Sequence, residues 1–80
     1  MIRYLALGSD GSVGGYERAD ILLCDIAEHR RDGDEVKALW KRDEDSLATR
    51  FIPTTEDELR EIELADRRTY EEAMAYQERL

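Results

Sequence analysis

The sequence predicts an α+β domain in which two helices cover one face of a small antiparallel sheet of three or four strands. Three observations support this class. Some segments alternate apolar and polar residues with the period of a strand, others repeat apolar residues every three to four positions, and glycine-rich or charged connections separate them. The expected element order is ββαββα, all within a single domain of residues 1–80.

The first strand is predicted over residues 1–8, where tyrosine and leucine suit a pleated surface. It ends at Gly8, and the following "SDGSVGG" contains an Asp-Gly pair that favours a tight reversal. A second short strand through Val13 and Tyr16 would bring the sheet to four strands.

The first helix is predicted over residues 18–31, because its apolar residues recur with helical spacing. Gly33 follows at the position where a glycine commonly ends a helix. The apolar side of this helix is formed by Ala19, Leu22, Leu23, Ile26 and Ala27.

A hairpin is predicted over residues 34–52, with residues 43–46 as its loop and Pro53 ending its second strand. The first arm alternates around Trp40. In the second arm the alternating residues are Leu47, Thr49 and Phe51.

The last helix is predicted over about residues 55–80, with its C-terminal part projecting from the sheet. Thr55 and Glu58 form a capping-box pattern, in which each side chain can accept a hydrogen bond from a backbone N–H at the helix start. Asp66 has two interpretations: the helix leaves the sheet there and the carboxylate reaches water, or the residue sets the register of a helix pair. The expected seam is Leu59, Ile62, Asp66, Thr69, Ala73, Tyr76 and Leu80.

Composition limits the class of protein. The chain is 41% hydrophobic and 40% charged, as expected of a folded domain, and no segment is apolar for the roughly 20 residues that span a bilayer. A formal net charge of -8 disfavours binding to nucleic acid or to anionic membranes. Cys24 is the only cysteine, which excludes an internal disulfide and favours a reducing, cytoplasmic location.

The expected core is Leu5, Leu7, Leu22, Leu23, Ile26, Trp40, Phe51, Leu59 and Ile62.

The sequence offers little catalytic chemistry, and we expect no enzyme and no cofactor. The glycines between the first strand and the first helix lack both the dinucleotide-binding spacing and the P-loop ending. We expect His29 to be a solvated side chain and Cys24 to be a small packing residue. The acidic runs at residues 32–35 and 43–45 lack calcium-loop spacing, so we expect no metal site.

Charge distribution is the remaining functional observation. Residues 56–80 contain nine acids and four arginines, so most of the excess negative charge belongs to the last helix. The expected function is therefore a small acidic protein that docks on the basic surface of a protein or nucleoprotein complex. A phage or mobile-element inhibitor of the anti-CRISPR or anti-restriction type would act in this way. The expected partner-binding residues are Asp43, Glu44, Asp45, Glu56, Asp57, Glu58, Glu61 and Tyr76, with Trp40 as a further aromatic anchor.

Two alternatives from other classes stay open. The last helix could pair two copies of the chain, which makes the protein a structural or oligomerising module and a homodimer. The third hypothesis, a small metal- or nucleotide-binding enzyme, requires a site that no motif in the sequence indicates.

Overall fold

The computed structural model describes residues 1–78, which form a four-stranded antiparallel sheet and two helices. The predicted α+β class and the predicted order ββαββα are confirmed, including the short second strand. The predicted helix end near Leu80 lies outside the described residues. In chain order the elements are β1 (Tyr4–Gly8), β2 (Val13–Tyr16), α1 (Ala19–Arg31), β3 (Val36–Arg42), β4 (Phe51–Thr54) and α2 (Glu56–Glu78).

The sheet has the strand order β2-β1-β3-β4, so β1 and β3 are the inner strands. One row of partners crosses all four strands: Leu5 lies opposite Gly15 and Trp40, and Trp40 lies opposite Pro53. Pro53 belongs to an edge strand, where the absence of a backbone N–H is tolerated.

Both helices pack on the same face of the sheet. Leu22 and Leu59 are 0% exposed and Ile26 is 2% exposed, so one aliphatic cluster joins α1, α2 and the sheet. Leu23 and Ile62, which the sequence also predicts in the core, are half-buried and pack against this cluster. The buried residues are Tyr4, Ala6, Ala19, Leu22, Ile26 and Leu59.

The prediction that Leu5, Leu7, Trp40 and Phe51 belong to this core is wrong. Side chains of a strand alternate between the two faces of its sheet. Since the neighbouring side chains of β1 and β3 face the helices, these four residues fall on the opposite face, where they are half-buried. No element among residues 1–78 covers that face.

The helix boundaries follow local sequence signals. Gly33 has φ = 85°, and the N–H groups of Gly33 and Asp34 donate to the carbonyls of Arg30 and His29, which is the Schellman arrangement that ends α1. At the start of α2, the Glu58 N–H donates to Oγ1 of Thr55 over 3.2 Å. This is one half of the predicted capping box.

The β3–β4 connection is longer than predicted. Pairing of these strands begins with Arg42 opposite Phe51, so Leu47 and Thr49 have no strand partner and Leu47 is fully exposed. The loop covers residues 43–50 and is closed by the Asp43 N–H, which donates to the Arg50 carbonyl over 2.8 Å. The alternation of apolar residues in the sequence predicted the end of this loop four residues too early.

The second half of α2 makes little contact with the sheet. Residues 64–78 are all exposed, among them Leu64, Tyr70, Met74 and Tyr76. Asp66 is also exposed, which supports the interpretation that its carboxylate reaches water where the helix leaves the sheet. Neither α1 nor α2, over the residues described, is long and apolar enough to cross a membrane.

Candidate functional site

The sheet face opposite the helices, here called the open face, is an apolar surface. Two contacts show which side chains of β3 face the helices: Leu39 packs against the core, and Lys41 pairs with Glu58 of α2. Trp40 lies between them in the strand, so its side chain must face away from the helices. The strand register then shows which residues of β1, β2 and β4 lie on the same face as Trp40. The apolar residues of the open face are Leu5, Leu7, Val13, Ala38, Trp40, Phe51 and Pro53.

The N-terminal segment extends this apolar surface. A Cβ atom on Gly15 would lie 2.8 Å from Cδ1 of Ile2, so the Ile2 side chain lies over the bare backbone of Gly15. Ile2 is 49% exposed and Val13 is 63% exposed. Edge strand β2 therefore presents apolar side chains to solvent although its own sequence is rich in glycine.

Both faces of the sheet carry large apolar side chains. The helix-facing row that includes Ala6 pairs it with Gly14 and Leu39. The open face carries the larger side chains of Leu5 and Trp40 in the adjacent row. Ala6 and Gly14 let α1 approach the sheet closely. Packing of the helices does not, however, require large apolar residues on the uncovered side of the sheet. An uncovered patch of this kind commonly marks an interaction surface.

Acidic segments flank strand β3 in the sequence. Asp34 and Glu35 immediately precede β3, and residues 43–45 immediately follow it. Glu35, Glu44 and Asp45 are exposed and Asp43 is half-buried. The N–H of Asp45 donates to the carboxylate of Asp43 over 3.1 Å, which shapes the loop without neutralising its charge. Asp34 and Glu35 line a depression beside α1, and the acids of residues 43–45 line one beside α2. The register places Arg42 on the open face with Trp40.

The acids predicted at the start of α2 are engaged within the protein. Glu56 accepts two hydrogen bonds from the Arg30 guanidinium, at 2.9 and 2.5 Å, and another from Arg60 at 2.7 Å. The Arg30 guanidinium lowers the pKa of the Glu56 carboxyl below its ordinary value. Glu58 pairs with Lys41, and the 93% exposed side chain of Asp57 pairs with Arg60 at 3.1 Å.

The remaining predicted site residues lie apart from one another. Glu61 is exposed on α2 and makes no ion pair with any residue in the described range 1–78. Tyr76 is 65% exposed in the projecting part of the same helix. Tyr76 lies 15 residues beyond Glu61 along α2, which is about 22 Å at 1.5 Å per residue, so it is remote from the acids at the start of the helix.

The structure does bring the loop acids close to Asp66. The loop acids and Asp66 line a shallow depression between the 43–50 loop and α2, together with Tyr4 and three basic residues, Arg3, Lys41 and Arg42. Burial raises the pKa of the Tyr4 hydroxyl, and the negative charges of Asp66 and Glu44 raise it further. Sequence spacing gave no sign of this arrangement, because it depends on how α2 crosses the sheet.

The candidate reactive residues are solvent-facing. Cys24 is exposed, so its prediction as a packing residue is wrong; it lies two residues from Leu22, on another side of α1. His29 is 57% exposed and lies 3.9 Å from Asp34. Within residues 1–78, no group of three or more His, Cys, Asp or Glu side chains is arranged to hold a metal ion.

Comparison of the chain with protein-family models, with curated proteins and with solved structures finds no match. Function must therefore be argued from the open face and its surroundings.

Proposed function

We propose that this protein is a non-enzymatic binding module whose open face docks on another protein, at an apolar patch bordered by basic residues. The observation that carries the proposal is the uncovered apolar sheet face with Trp40 on an inner strand. Four strands about 4.8 Å apart and roughly 17 Å long give a projected area of roughly 300–400 Å². This is the range of the largest apolar patch on a typical monomer, which is often functional.

Trp40 is suited to be the anchor of such an interface. Tryptophan is among the residues that most often dominate binding energy, particularly near the centre of an interface. Leu5 and Pro53 flank Trp40 across the sheet, and Ala38 lies beside it on the same strand and face. Because β3 is paired with a strand on each side, Trp40 projects from a rigid backbone, which reduces the entropy lost on binding.

The net charge of -8 favours a basic partner. Charges outside the apolar contact orient the encounter and raise the association rate more than they raise affinity. Of the acids predicted to bind the partner, Asp43, Glu44 and Asp45 form no ion pair within residues 1–78, whereas Glu56 and Glu58 are already paired with Arg30 and Lys41. We therefore assign the electrostatic contribution to the loop acids.

Proteins that handle nucleic acids commonly carry basic surfaces, because they neutralise phosphate charge. A small acidic module that occupies such a surface competes with the nucleic acid. An inhibitor of the anti-CRISPR or anti-restriction type, acting in the cytoplasm for a phage or mobile element, is the biological role that we propose for this activity.

Affinity capture with matched variants tests the proposal. Wild type, Trp40→Ala and Tyr76→Ala are immobilised and exposed to cell lysate at low and high salt, after circular dichroism has verified that each is folded. We expect a basic protein that is retained by wild type and by Tyr76→Ala, is lost with Trp40→Ala and is released by salt. Equal retention by all three variants, or a partner without basic character, would contradict the proposal.

Self-association through α2 is a second candidate, favoured by the exposed apolar residues of its projecting part. Leu64, Tyr70 and Met74 are between 41% and 66% exposed. Light scattering over a range of concentrations tests it. A dimer that Tyr76→Asp or Ala73→Glu dissociates would support the candidate, and a constant monomer mass would remove it.

A further inference from the structure

We infer that the outer edge of β2 binds an extended, basic peptide segment of another protein, which adds to the sheet as a fifth strand and directs lysine or arginine side chains at α1. This site goes beyond the proposed function, because it lies at the sheet edge and does not require Trp40. Three properties carry the inference: unpaired main-chain groups, an edge without blocking residues, and an acidic side of α1 beside that edge.

The outer side of β2 has main-chain groups without a strand partner. β2 stands at one end of the strand order β2-β1-β3-β4. The Gly8 N–H donates to the Ser12 carbonyl over 2.8 Å, so the main-chain groups of Ser12 face β1. Successive residues of an antiparallel strand direct these groups to opposite sides. The N–H and C=O groups of Val13 and Gly15 therefore point outward, where an added strand would pair with them.

The β2 edge carries neither of the residue types that commonly block strand addition. Its sequence, Val-Gly-Gly-Tyr, contains no charged residue and no proline. The β4 edge differs, since Pro53 has no N–H to offer. Gly15 is exposed and has no side chain, so a second backbone can approach it closely. Of the two edges of the sheet, β2 is therefore the one open to an extended segment.

One side of α1 lies next to this edge. Asp25 and His29 line the same depression as Tyr16 of β2, whereas Arg30, on the other side of the helix, pairs with Glu56 of α2. Burial raises the pKa of the Tyr16 hydroxyl, and the Asp25 carboxylate raises it further. The side of α1 that carries Asp25 is therefore the side that faces β2.

This side of α1 is acidic. Glu28 and Asp32 follow Asp25 at three- and four-residue intervals, so the three carboxylates share one side of the helix. No ion pair within residues 1–78 includes any of them. Arg31 lies about 120° around the helix from Asp25, at about 100° per residue. The β2 side of α1 thus offers carboxylates that a basic segment can neutralise.

The position of the added strand predicts its sequence pattern. Successive side chains of a strand alternate between the two faces of its sheet. Every second residue of the segment therefore points to the α1 side, where Asp25 and Glu28 favour lysine or arginine. The residues between them point to the other side, next to Ile2 and Val13, which are 49% and 63% exposed and favour apolar side chains. The expected segment alternates basic and apolar residues.

A second copy of the chain is a poorer occupant of this edge. Pairing of two β2 strands about a two-fold axis would set two α1 helices side by side on one face, about 10 Å apart. Their facing sides would be those of Asp25 and Glu28, at a separation close to the Debye length of about 8 Å. A basic segment meets the same carboxylates with the opposite charge.

Peptides that are N-methylated at alternate residues test the inference. The probe is a fluorescein-labelled peptide of about eight residues that alternates lysine and valine, and fluorescence anisotropy measures its binding to the full chain. N-methylation of the residues whose N–H groups face β2, which are the valines in an antiparallel arrangement, should weaken binding about tenfold. N-methylation of the other set should leave binding unchanged, and a glutamate-valine peptide should not bind. Equal effects of the two methylation patterns would overturn the inference, because attraction between charges alone does not depend on them.

Amide hydrogen exchange locates the bound peptide. The outward N–H groups of Val13 and Gly15 should become protected when the lysine-valine peptide binds. The N–H of Gly14, which lies opposite Ala6 in the β1–β2 ladder, should change little. Protection that appears on β3 or β4 instead of β2 would contradict the inference.

Protein variants, each verified as folded by circular dichroism, separate the two contributions. Val13→Pro removes one outward N–H at an edge position and should weaken binding about tenfold, while Val13→Thr keeps the N–H and should bind like wild type. Asp25→Asn with Glu28→Gln should weaken binding severalfold, and Glu71→Gln with Glu72→Gln, an equal change of net charge on α2, should leave it unchanged. Equal effects of the two double changes would overturn the inference. So would a dimer that Val13→Pro dissociates, because the occupant would then be a second copy.

Trp40→Ala distinguishes failure of this inference from failure of the proposed function. It should leave peptide binding unchanged while it abolishes capture of a basic protein. If it weakens peptide binding as much as Val13→Pro does, the peptide lies on the open face and the inference about the edge fails. If the peptide binds as described but Trp40→Ala does not affect capture, only the proposed function fails.

Discussion

The attachment of α2 to the domain depends on very few side chains, and Leu59 is the one that can be tested most sharply. Leu59 is 0% exposed and is the one buried α2 residue in the described range, whereas Leu64 in the same helix is 48% exposed. Leu59→Ala should therefore cost about 2–5 kcal/mol, the usual range for a leucine truncated in a core. Leu64→Ala should cost less than about 0.5 kcal/mol.

These costs are large compared with the stability of a domain this small. An 80-residue domain is expected to have about 4–12 kcal/mol of unfolding free energy. A loss of about 3 kcal/mol would lower its Tm by roughly 12–24 °C. Leu59→Met, which keeps most of the volume and should cost less than about 1.5 kcal/mol, provides an intermediate variant that stays folded.

Urea unfolding followed both by far-ultraviolet circular dichroism and by Trp40 fluorescence measures the three variants. We expect stability to decrease in the order Leu64→Ala, Leu59→Met, Leu59→Ala, and the circular dichroism and fluorescence signals to change together in each variant. Equal costs for Leu59→Ala and Leu64→Ala would refute the conclusion that only the first turns of α2 anchor the helix.

Three further predictions concern local features. Because Arg30 lowers the pKa of Glu56 in the folded state, wild type should be more stable than Glu56→Gln above the ordinary glutamate pKa. This advantage should disappear as pH falls through the lowered pKa of Glu56. Urea midpoints at pH 7 and pH 2.5 measure the difference in stability, and a difference that does not depend on pH would argue against the ion pair. Thr55→Ala should cost about 1 kcal/mol by removing the cap of α2, and Thr55→Ser should restore most of it in the same assay. Gly33→Ala should cost about 1–2 kcal/mol, because φ is +85° there; an unchanged Tm would show that the helix end rearranges.

The element order was predictable because local signals agreed with the tertiary structure. The Asp-Gly turn, the glycine after α1 and Thr55 before α2 each specify a boundary through their own backbone chemistry. Leu47 and Thr49 misled the prediction, because alternation continues there although β3 has no residue left to pair with them.

The position of the core was less predictable. Alternation in β1 separates Leu5 and Leu7 from Tyr4 and Ala6, but it does not say which set the helices cover. Hydrophobicity favours the leucines. The structure buries Tyr4 and Ala6 instead, in one cluster with Leu22, Ile26 and Leu59 of the helices.

The electrostatic part of the site failed to follow from sequence for a similar reason. Glu56 and Glu58 are part of an acidic run, but Arg30 and Lys41 approach them from distant parts of the chain. Counting charges along α2 therefore overstates the negative charge available to a partner. The loop acids at residues 43–45 were visible as an acidic run, but their position beside Arg42 and Asp66 depends on how the loop and α2 approach each other.

The most direct test of the docking surface is an NMR titration of the ¹⁵N-labelled protein with the basic partner obtained by capture. We predict that the largest chemical-shift changes occur at the amides of Leu5, Leu7 and Ala38 and at the indole N–H of Trp40. Changes confined to residues 56–61, or to the projecting part of α2 around Tyr76, would contradict it.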